Sequence, residues 1–222
     1  MLAEKEKKGY KGLPLTGILA RWYAKNTGKH IEDYRKAAQG VADGLPAGSD
    51  VLEVAPGPGY FAIALAQLGS YHIVGLDISE TFVEIATDNA RRAGVDIEFR
   101  QGNASSMPFD SASFDFVYCR AAFKNFSEPV RAIVEMHRVL KSGGTAVIAD
   151  LRKDATVPDI DAAVAEMGLG RFNAMLTRLI FKHSLLKRAY SEQDFRDMVS
   201  QTAFATCEIN TDSIGMEIVL RK

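Results

Sequence analysis

Apolar residues in the middle of the chain occur as short continuous runs, each followed by a longer segment with helical periodicity. The runs predict five strands, at 51–54, 73–77, 97–101, 114–119 and 145–151. The segments between them predict helices at 60–68, 79–93 and 129–139. Strands that are apolar throughout and alternate with helices are typical of a parallel sheet covered on both faces.

Further helices are predicted on both sides of this alternating region. Two precede it, at 16–25 and 31–42, and three follow it, at 159–167, 171–186 and 191–202, the last with a capping-box-like start at Ser191. The chain then ends with two apolar runs, 206–210 and 216–220, around a turn-rich segment that indicates an antiparallel hairpin. The whole predicts an α/β, Rossmann-like doubly wound sheet of seven strands, five parallel and two in the C-terminal hairpin, with a helical cap.

The length of 222 residues suits one domain that spans 1–222. Its predicted parts are an N-terminal helical cap at 1–45, a core at 49–151, a helical insert or lid at 154–202 and the hairpin at 204–222.

Composition excludes several classes of protein. The 27 lysines and arginines nearly balance the 28 aspartates and glutamates, so no basic excess points to nucleic acid. The 2 cysteines are too few for a disulfide framework and are expected to be buried thiols. The mixed-charge N-terminus lacks a secretory signal, and no apolar run reaches the roughly 18 residues that cross a bilayer. We therefore expect a cytoplasmic protein without a transmembrane segment.

The segment 53–59, Glu-Val-Ala-Pro-Gly-Pro-Gly, carries the clearest chemical signal in the chain. It follows the first strand and opens the helix at 60–68, and Asp77 ends the next strand about twenty residues further on. Glycines let a backbone approach a ligand closely, and a helix N-terminus presents free N–H groups to it. The pattern predicts a nucleotide-binding βαβ unit in which Asp77 accepts hydrogen bonds from both ribose hydroxyls.

The identity of the nucleotide is not decided by this fingerprint, because an NAD-binding module carries the same glycines and acid. Glu53 argues against a dinucleotide, since its charge would face the pyrophosphate, and it suits a ligand with an α-amino or sulfonium group. The segment 101–104, Gln-Gly-Asn-Ala, offers an amide to an adenine edge after the third strand. A sheet that closes with a hairpin also differs from the usual dinucleotide plan.

Three further motifs carry a family resemblance: Gly-Asn-Ala-Ser-Ser-Met-Pro-Phe at 102–109, Ser-Phe-Asp-Phe-Val at 113–117 and Glu-Met-His-Arg-Val-Leu-Lys-Ser-Gly-Gly at 135–144. With the glycine-rich turn they resemble, in order and spacing, the class I S-adenosylmethionine (SAM)-dependent methyltransferases, most of all the small-molecule and quinone-type group. The resemblance implies a methyl transfer from SAM to an O, N or C atom of a small-molecule acceptor.

The resemblance also implies the SAM contacts. Glu53 would engage the methionine end, Asp77 the ribose, Ile78 and Asn103 the adenine, and the remaining contacts would be made by Val54, Ala55, Pro56, Gly57, Gly59, Ala104, Arg120 and Ala121. The chain departs from the family at Ala55, where a glycine is usual, and at Asn103, where aspartate is commoner.

Methyl transfer requires in-line alignment at about 3 Å rather than a conspicuous catalytic group. The acceptor side is expected from the cap and from the loop after the fourth strand, with candidates Trp22, Tyr23, Phe123, Lys124, Asn125 and Phe126, and with Tyr10 and Arg171 as further residues to consider. Lys124 and Asn125 replace a histidine pair common in the family, which leaves acceptors other than the usual quinone-like ones open. His183 and Lys124 are candidate bases, a surface histidine being the alternative for His183; no metal is expected.

The segment 171–188 alternates apolar and basic residues, so it is either a lid over the sheet edge or a helix that contacts a membrane peripherally. Three other functions stay open: a nucleic-acid methyltransferase, a SAM-binding protein without transferase activity, and an NAD-binding module. The first lacks the expected Asn-Pro-Pro-Tyr loop, since 122–125 reads Ala-Phe-Lys-Asn.

Overall fold

The computed structural model describes residues 9–11, 17, 20, 21, 24, 31–166, 170–181 and 185–222. The strands are β1 (Asp50–Val54), β2 (His72–Asp77), β3 (Glu98–Gln101), β4 (Phe114–Arg120), β5 (Leu140–Leu151), β6 (Thr206–Thr211) and β7 (Gly215–Arg221). The helices are α1 (Ile31–Ala42), α2 (Tyr60–Ala66), α3 (Glu80–Ala93), α4 (Pro129–Val139), α5 (Val157–Glu166), α6 (Arg171–Ile180), α7 (Leu186–Arg188) and α8 (Glu192–Val199). A 3-10 turn, Phe123–Asn125, follows β4.

The strands form one 7-stranded sheet in the order β3-β2-β1-β4-β5-β7-β6. The pairs from β3 to β5 are parallel, and β7 lies antiparallel to both β5 and β6. The predicted parallel sheet with a C-terminal hairpin is therefore confirmed. Chain connections reverse direction between β1 and β4, and α/β sheets bind ligands beyond the carboxyl ends of the strands at such a point.

The sheet separates two hydrophobic cores, because successive side chains of a strand point to opposite faces. On β1, Val51 belongs to one core and Leu52 to the other. The core that contains Leu52 packs against α4 and α8, and the core that contains Val51 packs against α1 and α2. Burial of each large apolar side chain contributes about 1.5–3 kcal/mol. These layers hold the strand ends, and the loops that leave them, in a fixed arrangement.

Some boundaries differ from the prediction. β5 begins at Leu140, which pairs with Phe114, and the register then shifts so that Thr145 pairs with Phe116. A glycine with φ 77°, Gly143, lies in this irregular stretch, which the apolar pattern alone does not reveal. Of the helix predicted at 171–186, α6 covers Arg171–Ile180, and residues 182–184 lie outside the described residues.

Two of the helices predicted outside the alternating region agree with the structure in their described residues: α8 and the helix predicted at 16–25. Ser191 forms the predicted capping box: its Oγ accepts a hydrogen bond from Asp194 N at 3.1 Å, and Asp194 Oδ2 accepts one from Ser191 N at 2.8 Å. Of the helix predicted at 16–25, residues 17, 20, 21 and 24 are helical and the others lie outside the described residues. Within the described ranges, no helix has the length and apolarity needed to cross a bilayer.

Candidate functional site

A cavity opens at the carboxyl ends of β1, β2 and β4. The residues predicted to contact the cofactor line it, apart from Gly59: Glu53, Val54, Ala55, Pro56, Gly57, Asp77, Ile78, Asn103, Ala104, Arg120 and Ala121. They come from the ends of four strands, β1 to β4, and from the loops that follow them, which the parallel sheet brings to the same edge. The candidate site predicted from separate motifs is thus one continuous surface.

The turn between β1 and α2 has a backbone that only some residues adopt. Ala55 has φ 57°, Gly57 has φ 53° and Gly59 has φ 77°, all in the left-handed region. A non-glycine residue in this region is strained, and such strain concentrates at functional sites. Ala55 N donates to Leu76 O at 2.7 Å, which ties the turn to β2.

Gly59 has a packing role instead of lining the cavity. A Cβ atom at this position would lie 2.9 Å from Cζ of Phe99 and 3.1 Å from Cβ of Ala86. Only glycine therefore lets the start of α2 approach β3 and α3 this closely.

Asp77 connects the two loops that flank the cavity. Its Oδ2 accepts a hydrogen bond from Gly57 N at 3.0 Å, and its Oδ1 accepts one from Ser79 N at 2.9 Å. The residue is only 5% exposed. A carboxylate oxygen accepts more than one hydrogen bond, so both atoms keep capacity toward a pair of ligand hydroxyls.

Glu53 is a buried acid at the end of β1, and it is 3% exposed. Its Oε2 accepts a hydrogen bond from Ala62 N at 3.1 Å. Burial raises the pKa of Glu53 to about 8; the Ala62 hydrogen bond and the charge of Arg120 oppose this shift, and the charge of Asp77 adds to it. The cavity therefore contains a carboxyl group that either keeps a proton or requires a cation.

The opposite end of the cavity is bounded by Ile78 and Asn103, with the N-terminal segment 9–11 across them. Asn103 Oδ1 accepts a hydrogen bond from Ser105 N at 2.9 Å. A Cβ atom on Gly9 would lie 2.3 Å from Ile78 Cδ1 and 3.1 Å from Asn103 Cγ. Lys11 N donates to Asn125 O at 2.6 Å, and Ser127 N donates to Gly9 O at 3.2 Å. We call residues 9–11 the strap, because they bridge the two sides of the cavity.

The loop after β4 holds four of the residues predicted to contact the acceptor, and two of them face the cavity while two face the interior. Asn125 and Phe126 line the cavity. Phe123 does not reach it: its ring is fully buried and packs against the rings of Phe126, Tyr190 and Phe195. Lys124 also turns away, because its Nζ lies 2.8 Å from Oδ1 of Asp150 in the interior. The structure therefore does not support a contact of Phe123 with the acceptor, nor a role of Lys124 as a base.

Several sequence candidates lie outside the described residues: Trp22, Tyr23, His183 and the side chain of Arg171. Tyr10 does line the cavity. Other lining residues were not predicted, among them Gly9, Tyr34, Phe82 and Ala122. Tyr34 belongs to the apolar period of α1, but nothing in that period shows that the first turn of α1 lies beside Arg120 at the end of β4. Among the described residues, no group of three or more His, Cys, Asp or Glu side chains could hold a metal ion.

Comparison with known proteins bears on what this cavity binds. Residues 52–148, which extend from β1 into β5, match the family model described as Methyltransferase domain. Residues 52–148, a little less than half of the chain, are therefore similar to a methyltransferase domain. Such a domain implies S-adenosylmethionine as the cofactor. The buried Glu53, together with an Asp77 placed where it could bind ribose hydroxyls, is compatible with this cofactor.

Two curated relatives match part of the chain. A demethylmenaquinone methyltransferase of Deinococcus radiodurans is 35% identical over 136 residues, which are 61% of this chain and 51% of that protein. A demethylmenaquinone methyltransferase of Clavibacter sepedonicus is 40% identical over 105 residues, 47% of this chain and 42% of that protein. The chain spans about half the length of the curated relatives it matches.

Similarity to a solved structure extends beyond the matched segment to nearly the whole chain. A Methanococcus maripaludis protein, described as an S-adenosylmethionine-dependent methyltransferase, superposes with a TM-score of 0.75 at 22% identity. The superposition covers 95% of this chain and 97% of that one. The terminal hairpin and the helices around the matched segment therefore belong to a known fold.

Proposed function

We propose that this chain transfers the methyl group of SAM to a small aromatic acceptor of the quinone type. The observation that carries the proposal is that two buried carboxyl groups, Glu53 and Asp77, line one cavity of a methyltransferase domain. The pKa of Glu53 is raised partly by the Asp77 charge, so the two acids interact across the cavity. A cationic ligand with a ribose satisfies both groups, whereas a pyrophosphate would add a third negative charge.

The residues that line the cavity can be assigned to the methionine, ribose and adenine parts of SAM in turn. Glu53 would bind the α-amino group, directly or through water, and Asp77 the ribose hydroxyls. Ile78 and Asn103 would bound the adenine, with the strap as its outer cover. Bound SAM supplies a methyl group that its positively charged sulfur already activates. The chain's own contribution is to exclude water and to orient the acceptor, which strengthens electrostatic interactions within the site.

The walls of the cavity also suit an aromatic acceptor. Among the described residues, they include the rings of Tyr10, Tyr34 and Phe126 and the amide of Asn125. The described ionisable side chains of the whole cavity are Tyr10, Tyr34, Glu53, Asp77 and Arg120, of which Glu53 and Asp77 are assigned to SAM. Burial raises the pKa of Tyr10, which makes this phenol a poor base at neutral pH. This composition favours a transfer that depends on the in-line alignment of acceptor and methyl group and not on a general base. Because the two relatives are demethylmenaquinone methyltransferases, a demethylated naphthoquinone is the first acceptor to test.

Calorimetric titration of the chain with SAM, S-adenosylhomocysteine and NADH tests the cofactor. We expect micromolar affinity for the first two and none for NADH. Because Glu53 must lose its proton to bind a cation, SAM binding should release a proton below about pH 8. Titration in two buffers of different ionisation enthalpy measures that proton, and Glu53→Gln should abolish it. Binding of NADH alone would reject the proposal.

Turnover is tested with SAM that carries a labelled methyl group. We expect the label to appear in a demethylated naphthoquinone together with one equivalent of S-adenosylhomocysteine. SAM binding without any transfer, across naphthoquinone, benzoquinone and catechol acceptors, would leave the chain as a SAM-binding protein and would reject the acceptor assignment.

A further inference from the structure

Two helices after β5 expose large apolar side chains to solvent. Three of the five that are exposed in the described part of the chain lie there: Val157 at the start of α5, and Met175 and Leu179 on α6. Met175 and Leu179 are 53% and 47% exposed, and they are four residues apart, so they share one helix face. The packed side of α6 is different, since Ala174 contacts the small core of Ile160, Val164, Phe181 and Leu186. The exposed pair is therefore an apolar surface outside the core.

Positive charge accompanies this apolar pair. The segment 171–188 holds five lysines and arginines and no acidic residue, although the whole chain has a net charge of -1. Arg178 is exposed and donates to Asp161 Oδ1 of α5 at 2.5 Å, while Lys187 and Arg188 are exposed on α7. We call Met175, Arg178, Leu179, Lys187 and Arg188 the basic apolar surface. Single exposed apolar residues are ordinary, but apolar residues grouped with cations are typical of membrane-contacting helices.

One end of the basic apolar surface adjoins the cavity. Tyr10 lines the cavity, and burial raises its pKa. The charge of Arg188 acts in the opposite direction on this pKa, so Arg188 lies near Tyr10. Two residues beyond Arg188, Tyr190 packs on Phe123, and Lys11 of the strap donates a hydrogen bond to its hydroxyl. The cations of α7 thus lie close to the strap at the opening of the site.

We propose that the basic apolar surface binds the interface of an anionic lipid membrane. Met175 and Leu179 enter the boundary between headgroups and acyl chains, and Lys187 and Arg188 contact lipid phosphates. Charge favours this occupant over a second copy of the chain, because a symmetric contact would bring the same cations together. The binding stands on its own observations; its consequence, that a lipid-soluble acceptor enters the cavity from the bilayer, rests on the proposed function.

Vesicle flotation with the full chain tests the surface. We expect the chain to float with vesicles of phosphatidylglycerol and phosphatidylcholine and not with pure phosphatidylcholine, and to dissociate as salt screens the charges. Lys187→Glu with Arg188→Glu should lower the partition at least about thirtyfold, since each cation near an anionic surface contributes about 1 kcal/mol. Met175→Glu with Leu179→Glu should also abolish flotation.

Matched controls separate this surface from a general effect of added charge. Val134, 43% exposed on α4, and Arg92, exposed on α3, lie on other helices. Val134→Glu and Arg92→Glu should float like the parent chain. A circular dichroism spectrum and a thermal midpoint like those of the parent chain show that each variant is folded, and if the apolar pair fails this check the charge pair carries the test.

Three results would overturn the inference. The first is equal flotation with neutral and anionic vesicles, and the second is flotation that both double variants retain. The third is a dimer in sedimentation velocity that both variants convert to monomer, which would assign the surface to a second copy. Failure of the parent chain to bind SAM would count against the proposed function and leave the vesicle result to be judged separately.

Discussion

Nζ of Lys124 lies 2.8 Å from Oδ1 of Asp150, and these side chains are 7% and 2% exposed. The same Nζ donates to Ala121 O at 2.6 Å, and Asp150 Oδ2 accepts from Lys124 N at 2.9 Å. Ala121 has φ 57° and lines the cavity. The ion pair therefore holds a strained residue of the site from within the core.

Lys124→Met should destabilise the chain by about 3–5 kcal/mol, because it leaves the buried Asp150 charge without its partner. The change should also weaken SAM binding, since Ala121 O loses a donor. Urea denaturation measures the free energy of unfolding, and adding Asp150→Asn to Lys124→Met should recover at least about 1 kcal/mol of it. A Lys124→Met chain as stable as the parent would show that the pair contributes nothing.

Glu53 makes the stability of the ligand-free chain depend on pH. Its pKa is about 8 in the folded chain against 4.5 as the ordinary value, so between these pH values the folded state binds a proton that the unfolded state has lost. The contribution of Glu53 to stability is therefore present below about pH 4.5 and declines as pH rises, by about 1.4 kcal/mol per pH unit, until pH 8.

Glu53→Gln removes this titration and isolates it from all other groups. The difference in unfolding free energy between Glu53→Gln and the parent should grow in favour of the variant by about 1.4 kcal/mol per unit from pH 5.5 to pH 7.5. Urea denaturation at each pH measures it. A difference that does not change with pH would mean that Glu53 is already ionised in the folded chain.

Asp77→Ala should weaken SAM binding at least about a hundredfold, because hydrogen bonds to a charged group contribute about 1.5–3 kcal/mol each and two ribose hydroxyls lose their acceptor. Gly57 N and Ser79 N lose their acceptor as well, so the thermal midpoint should fall too. Asp88→Ala, on the exposed side of α3, is the control and should change neither quantity. Calorimetry and thermal denaturation are the two readouts, and an unchanged SAM affinity in Asp77→Ala would remove Asp77 from the cofactor site.

Gly9→Ala should weaken SAM binding about tenfold, since a Cβ atom 2.3 Å from Ile78 Cδ1 forces either the Ile78 side chain or the strap to move at the proposed adenine end of the cavity. The matched change Gly40→Ala meets no atom within 4 Å, and it lies inside α1, where alanine is favoured. We expect Gly40→Ala to bind SAM like the parent chain and to be slightly more stable. Equal SAM affinity in both variants would show that the strap plays no part in holding the ligand.

The sequence predicted the sheet, and it predicted residues that the structure brings to one cavity, because both depend on local patterns. Continuous apolar runs mark strands buried on both faces, and the turn-rich break before β7 marks a hairpin. Glu53, Asp77 and Asn103 each end or follow a strand, and parallel strands bring such residues to one edge without further information.

The acceptor side depended on contacts that no local pattern records. Residues 123–126 form one short stretch of similar appearance, yet Asn125 and Phe126 reach the cavity while Phe123 and Lys124 turn inward. The partner that decides this for Lys124 is Asp150, which is brought near by the pairing of β4 with β5. Gly9 and Tyr34 likewise reach the cavity from segments far from it in the chain. The sequence by itself determined which strands form and which acids end them; the tertiary structure decided which neighbouring side chains face the cavity, because that choice depends on burial and ion pairing between distant residues.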